Sequence, residues 1–541
     1  MSATTTTAAN PVAAPATDRR WSALAGVLAV AAALATGELL AGLVPGVPSP
    51  LLSVAQVIVD NQPPGAKDFV VGIFGTNDKL ALQVFVVLVA LTIGAVLGTQ
   101  ATRRPGLGTM VIGAFAGVGF VASLSDPETV MVLALGAAVA ETIVGSWVLG
   151  WLLRPAPAAR PAGSGKRAKG GAGRAGVGAS SMPDWTRRRL LQRGGTVAVA
   201  SIAAASVGRW LLERSHAPAP AGAIPEPART ANLPAGADLS TADLTQAGLS
   251  PIVVPNNDFY RIDTALLLPS VDIKTWTLRV HGLVDRETVL TFDQLSALPV
   301  IEQFVTIACV SNEVGGNLVG NTSWRGVPLR TVLDMAGVQP AATQLVGRSV
   351  DGFTVGMPVA WVMDEARTPM IAFGMNGQPL PQNHGYPARL IVPGLYGYVS
   401  ATKWLSELEL TTLDAFDAYW VKLGWAKEAP ILTQSRIDVP RNGTQLAAGP
   451  VSIAGVAWAP DRGIQKVEVS IDQGDWQPAR LSAPISKATW VQWLLPWNAA
   501  VGTHSIEVRA TDGTGALQAE NVTPPFPDGA RGHHRVAVRV A

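Results

Sequence analysis

Cys309 is the single cysteine in 541 residues. It closes a short apolar run, Phe304-Val305-Thr306-Ile307-Ala308, and opens a polar, glycine-bearing one, Val310-Ser311-Asn312-Glu313-Val314-Gly315-Gly316-Asn317. A lone cysteine excludes an internal disulfide and every zinc or iron–sulfur site built on cysteine pairs. Three chemistries remain: an inert buried thiol, a nucleophile, or one thiolate on a soft metal. A second cluster, His384, Arg389 and Ala401-Thr402-Lys403, brackets the apolar Leu390-Ile391-Val392. Such groups at loop edges suit an anion with several hydrogen-bond acceptors, such as a pterin phosphate. A Cys309/His384 hydrolase pair would need an oriented third group, which nothing in the sequence marks.

The elements that hold these groups read as a mixed α+β domain. Trp276-Thr277-Leu278-Arg279-Val280 alternates as a strand does, and Thr291-Phe292-Asp293-Gln294 has the spacing of a capping box. Leu329, Val332, Leu333 and Ala336 share one helical face, with Gly337 at the helix end. From 428 to 541 the runs Val467–Ile471, Thr489–Trp493 and Ser505–Arg509 alternate strictly between Gly- and Pro-bearing turns, which predicts an all-β sandwich. The stretch Asn521–Val536, with His533 and His534, could reach the substrate pocket, but a solvated loop is the reading expected.

Five motifs in this order carry a family resemblance: Asn256-Asn257-Asp258-Phe259-Tyr260-Arg261, the Cys309 loop, Trp324-Arg325-Gly326-Val327-Pro328-Leu329, Met375-Asn376-Gly377-Gln378-Pro379-Leu380-Pro381, and His384 to Trp404. Together they resemble the molybdopterin-binding domain of the sulfite oxidase family, placed here at 251–415. The resemblance implies that Cys309 is a thiolate ligand of molybdenum. It implies that Asn257, Tyr260, Arg261, His384, Arg389, Ala401, Thr402 and Lys403 contact the pterin cofactor, with a contribution from Ser349-Val350-Asp351. It also implies an Ig-like C-terminal domain, known in that family as a dimerisation module.

The remainder of the chain is of another kind. Hydrophobic residues make up 48% and charged ones only 15%, too apolar for a wholly soluble protein. After a Thr/Ala/Pro tail (1–20), four apolar segments fill 21–153 and a fifth spans 194–212. Each is close to the ~20 residues that cross a bilayer as a helix. The linker 154–193 is rich in Arg and Lys, whereas the loops around Asp60, Asp68, Asp78, Asp126 and Glu128 are acidic. The positive-inside rule then sets the N-terminus and linker in the cytoplasm and everything after 213 outside. Thr186-Arg187-Arg188-Arg189-Leu190-Leu191-Gln192 resembles an internal twin-arginine export signal. An Ala/Pro-rich tether follows at 213–250. Glu38 and Glu141 fall inside spans, where an ionised group is expensive; they are expected to be protonated, to face one another or a cavity, or to meet a redox partner.

No span contains histidine and there is no Cys-x-x-Cys-His, so no haem is expected on this chain and electrons pass to or from a separate carrier. No basic face interleaved with aromatics points to nucleic acid. The function expected is oxygen-atom transfer to or from a small oxo substrate. Where sulfite oxidases place an arginine shortly after the metal cysteine, this chain has Asn312-Glu313, and an acid there repels an anion. A neutral S- or N-oxide therefore fits at least as well as sulfite. A cofactor-free, membrane-tethered binding module and a Cys309-dependent hydrolase stay open as rivals.

Overall fold

The computed structural model describes residues 19–63, 70, 73–74, 77–102, 104, 106–127, 129–154, 184–216, 224–230 and 239–541, without the side chains of 184–190, 240 and 241. The expected N-terminal tail, most of the basic linker and most of the tether lie outside these residues. The chain forms two compact units, divided at Ser215/His216.

The first unit is helical. Helices Arg19–Leu43, Asp78–Ala101, Met131–Leu153 and Leu191–Ser215 are long and apolar enough to cross a membrane. The third of the five expected spans is shorter, a 17-residue helix at Leu107–Ser123, and the loop before Asp78 carries a further apolar helix, Pro50–Asp60. Val84, Phe85, Leu88, Ile93, Val139 and Ile143 point outward, so apolar surface is turned to the surroundings as lipid requires. Small residues make the inner contacts. A Cβ on Gly26 or Gly98 would collide with the backbone of the opposite helix, so Arg19–Leu43 and Asp78–Ala101 can meet only where both lack side chains. Glu38 accepts hydrogen bonds from Ser49 Oγ (2.7 Å) and Leu51 N (3.1 Å), and so ties the first helix to the start of Pro50–Asp60. Glu141, also buried, approaches from the helix Met131–Leu153 and packs against Gly37. The two acids occupy neighbouring positions on facing helices.

The second unit begins with two sheets. One has the order Arg229–Thr230, Ile301–Ala308, Val319–Pro328, Met370–Met375, Arg389–Ile391, with Gln378–Pro379 pairing Met370–Met375. The other has the order Thr288–Thr291, Thr277–Gly282, Leu405–Thr411, Gln344–Ser349, Thr354–Pro358. Strand Ile301–Ala308 is buried along nearly its whole length, as its β-branched run predicts. The capping box forms at Thr291 and Gln294, through bonds of 3.3 and 2.9 Å. The helix Leu329–Ala336 buries the four residues expected and ends on Gly337 at φ +71°.

The C-terminal region is a pair of sheets of four and five strands, antiparallel except where the short edge strand Gln445–Leu446 runs parallel to His534–Val540, around a common core that includes Ile453, Val467, Trp493, Ile506 and Val538. It is not an independent bead. Val456, Trp458, Ile485 and Trp490 belong to the core of the preceding domain. Thr306 N donates to Ala488 O (2.9 Å) and Trp490 N to Thr306 Oγ1 (2.8 Å), so the strand leading to Cys309 is braced from the C-terminal side.

Candidate functional site

Cys309 lies where strand Ile301–Ala308 ends. Its N–H donates to Leu318 O (2.9 Å) and its carbonyl accepts from Asn312 N (3.1 Å), which folds Cys309–Leu318 into a compact loop. Asn312 Oδ1 accepts from Leu318 N (2.8 Å) and locks the turn. The sulfur is buried, with the Ser311 hydroxyl at 3.0 Å. Among the described residues no histidine hydrogen-bonds to it; His384 Nε2 is directed to Asn256 O instead. Gly315 sits at φ +77°, and a Cβ there would collide with the His534 ring. Arg436 donates to Gly316 O (2.8 Å), and His534 Nδ1 accepts from Ile437 N (3.0 Å). The C-terminal sheets thus clasp the loop. This corrects the solvated-loop expectation for the end of Asn521–Val536 only: His534 caps the cysteine loop and His533 is buried against Glu507 (2.8 Å), whereas 521–528 stay exposed or half-buried.

The second cluster assembles around Phe259. Its ring meets Trp324 (5.8 Å) and His384 (5.7 Å) edge to face and stacks on Tyr260 (5.2 Å). The Arg389 guanidinium lies 4.7 Å over the Trp324 ring, and its Nη1 donates to His384 O (3.0 Å). His384 Nε2 lies 2.9 Å from Asn256 O. A carbonyl only accepts, so Nε2 carries the proton and Nδ1 presents a bare lone pair. Burial, with the nearby charges of Arg389, Lys403 and Arg261, lowers the His384 pKa to about 4, which keeps the ring neutral. Lys403 Nζ donates to Asn383 O (3.0 Å) and pairs with Asp263 (3.2 Å), which also holds Arg261 (2.9 Å).

Charge and hydrogen bonding in this cluster are both incomplete. Arg389 is buried, and among the described residues no carboxylate pairs with it. Burial holds its pKa down to about 10 and that of Lys403 to about 8. Among the described residues, the buried Arg389 Nε, His384 Nδ1, Trp324 Nε1 and Thr402 Oγ1 have no hydrogen-bond partner. An unpaired buried charge costs several kcal/mol, and each orphaned polar atom about 1–3 kcal/mol. A folded domain keeps such a set where a ligand completes it. The set fits a polar anion with both donors and acceptors: a lone pair at His384 for a ring N–H, and cations and hydroxyls for phosphate oxygens.

The expected residues divide as follows. Tyr260, His384, Arg389 and Lys403 come together, with Arg261 at the rim, half-exposed. Ala401 and Thr402 are buried in the turn before Lys403. Asn257 is exposed, whereas its neighbour Asn256 supplies the carbonyl for His384 and accepts from Asn376 Nδ2 (2.9 Å). Ser349 ends a strand and Val350 N donates to Trp404 O (2.9 Å), so Ser349-Val350-Asp351 borders the same turn. Sequence reasoning missed Trp324, the platform under Arg389, and Trp404, held at φ +49° by an indole N–H donating to Gln382 O (2.8 Å). A bulky residue in the left-handed region costs about 1–3 kcal/mol. Here it turns the chain so that Lys403 enters the cluster.

The two clusters adjoin. Gly397 packs against Ala308 O, 3.7 Å from its Cβ position, which sets Tyr396 and Tyr398 beside the cysteine strand. Burial, helped by the nearby Cys309 sulfur, raises the phenol pKa of Tyr260 and Tyr398, and that of Tyr396 to about 12. All three remain protonated donors at neutral pH.

Comparison with known proteins agrees with this geometry. Residues 265–420 match the model of the oxidoreductase molybdopterin binding domain. Human mitochondrial sulfite oxidase is 28% identical over 320 residues, which cover 50% of this chain and 58% of the human one, so the chain spans a little over half that relative's length. The uncharacterized oxidoreductase YuiH of Bacillus subtilis is 32% identical over 154 residues, covering 28% of this chain and 74% of YuiH. Among solved structures, the sulfane dehydrogenase SoxCD of Paracoccus pantotrophus aligns with a TM-score of 0.45 at 24% identity, over 51% of this chain and 80% of the other. With a molybdopterin-type domain and relatives of this kind, the chain belongs to the sulfite oxidase family of molybdopterin-dependent oxidoreductases.

Proposed function

We propose that this chain is a membrane-anchored oxidoreductase that transfers an oxygen atom to or from a small neutral S- or N-oxide on the extracytoplasmic side, exchanging electrons with a separate carrier. The observation that carries the reading is the buried Arg389, with no carboxylate partner among the described residues, beside the bare His384 Nδ1: a cation and an acceptor that together suit a pterin phosphate. When bound, the molybdenum–pterin group supplies two-electron oxygen-atom transfer with water as oxygen source or sink. Cys309 would be its protein ligand. Among the described residues there is no group of three or more His, Cys, Asp or Glu side chains that could hold a metal unaided. Ser311 hydrogen-bonds the sulfur; His384 Nδ1 would accept from the pterin, and Arg389, Lys403 and Arg261 would hold its anionic end, with Thr402, Tyr260 and the Ala401 turn beside them.

Charge around the Cys309 loop supports a neutral substrate. Glu313 is exposed in the loop, whereas Arg436 is bonded to Asp438 (2.7 Å) and Arg531 to Asp528 (2.6 Å). Among the described residues these two cations are already paired, which supports a neutral substrate over sulfite. The charge asymmetry of the loops supports a cytoplasmic N-terminus with the catalytic unit outside, reached as a folded domain by the twin-arginine-like segment. The C-terminal sheets serve as an Ig-like domain and the surface for a homodimer.

A panel of dimethyl sulfoxide, trimethylamine N-oxide and sulfite, assayed on the full chain with dye donors and acceptors, tests the reading. Each sulfoxide reduced takes up two electrons and two protons and releases a sulfide and water. Reduction of a neutral oxide is expected; turnover of sulfite alone overturns the neutral-substrate assignment.

Cofactor-free protein should also bind anions at this cluster in a pH-dependent way. Lys403 is charged below its lowered pKa of about 8 and neutral above it, so its attraction for an anion is present at lower pH and lost as pH rises through that value. The increase in Tm given by a fixed phosphate concentration should shrink from about pH 7 to about pH 9.5. In Lys403→Gln the same increase should be small throughout.

A further inference from the structure

A buried acid sits among the cations of the cofactor cluster, where an anion site has no evident need of one. The Asp263 side chain is 4% exposed and accepts from Arg261 Nε (2.9 Å) and Lys403 Nζ (3.2 Å). Arg261 is a near neighbour in the chain, whereas Lys403 lies 140 residues further on. One carboxylate thus ties the segment after Tyr260 to the turn after Thr402. That turn also crowds Lys403 against a second cation. Gly385, at φ +113°, has a Cβ position 3.0 Å from Lys403 Cα and 3.2 Å from Arg389 Cβ, so both basic residues close on one bare glycine. His384, beside it, is neutral and brings no negative charge. Asp351, in the turn after strand Gln344–Ser349, is held toward its neutral form by burial, with the charge of Asp263 adding to the effect.

Three cations this close repel one another, and of the three the buried lysine is the one that can give up its proton. Burial brings the Lys403 pKa down to about 8, and Arg389 and Arg261 push the same way; Asp263 opposes them through its charge and its hydrogen bond. We propose that Asp263 is a positioning residue for the cofactor's anionic end: its buried carboxylate aims Lys403 and Arg261 and holds Lys403 as an ammonium, so that removing this negative charge weakens anion binding. This rests on the reading of the cluster as the seat of that anion, and adds the group that keeps the seat charged.

The test uses cofactor-free, full-length protein and sulfate, a tetrahedral dianion whose charge does not change across the neutral range. Tm is read with and without millimolar sulfate, at ionic strength matched with chloride, in the wild type, Asp263→Asn, Asp263→Glu and Lys403→Gln. The general stabilisation that sulfate gives by exclusion is common to all four, so the differences report the site. In the wild type the sulfate-induced rise should decline as pH passes about 8. In Asp263→Asn the rise should persist at about pH 6, and its decline should come about one pH unit or more lower, the size of effect an opposite charge at contact distance has on an ionisable group. Asp263→Glu should restore part of the difference. An unshifted decline overturns the proposal: a rise larger at every pH makes Asp263 a competitor of the phosphate, and one smaller at every pH makes it a structural tie. If sulfate raises the wild-type Tm no more than that of Lys403→Gln, the anion-site reading itself fails and the role of Asp263 falls with it. Comparison of wild type with Lys403→Gln tells the two failures apart.

Discussion

Cys309→Ser should abolish turnover while leaving the fold intact. The side chain is buried and its replacement is nearly isosteric, so the loop bonds through the Cys309 backbone, to Leu318 and Asn312, are retained. What is lost is the soft sulfur donor, which an alcohol does not replace for a metal held mainly by sulfur. The expected fall in kcat exceeds the ~10–100-fold that follows loss of an outer-shell partner of a metal ligand. Activity with a viologen donor and Tm on the same preparation check both halves. Full activity without the thiol would refute the assignment, and a lost fold would reassign Cys309 to packing.

Arg389→Met is expected to move stability and function in opposite directions. Without cofactor the guanidinium would be a buried cation with no carboxylate partner among the described residues, met by His384 O and the Trp324 face. An apolar side chain of similar length should raise the stability of the cofactor-free protein by about 1 kcal/mol or more. The same change removes charge-assisted bonds, each about 1.5–3 kcal/mol, and so weakens cofactor retention about 10–100-fold. Tm of cofactor-free protein and molybdenum per chain after purification read the two effects separately. A fall in both would mean that Arg389 is structural.

The chemistry of the site was legible because it resides in residue types that are costly to bury. One cysteine at a strand end and a His/Arg/Lys cluster around an apolar run point to a thiolate and an anion, and the clusters do assemble. What was not legible depends on the path of the backbone. Asn256 acts through a carbonyl, which every residue has, so its neighbour Asn257 could be chosen with equal reason. Trp404 at φ +49° breaks local preference, and only tertiary bonds impose it. Trp324 reads as strand filler until Arg389 is seen above it. His534 is separated from Gly315 by most of the catalytic unit, and periodicity gives no hint that they touch. In the membrane unit, apolar length marked the helices well but missed that Leu107–Ser123 falls short. Composition measures how greasy a segment is, whereas its helical length depends on where the turns at either end begin.

The clasp of His534 and Arg436 over the cysteine loop has a consequence for the order of events in the cell. A ribosome delivers Cys309 long before it delivers the side chains that shape its surroundings, and domains generally fold as they emerge. This one has to wait, since its braces at Trp490 and His534 are among the late arrivals. Insertion of the prosthetic group should therefore follow release of the finished polypeptide, and a nascent chain stalled shortly after Lys403 should be unable to retain it.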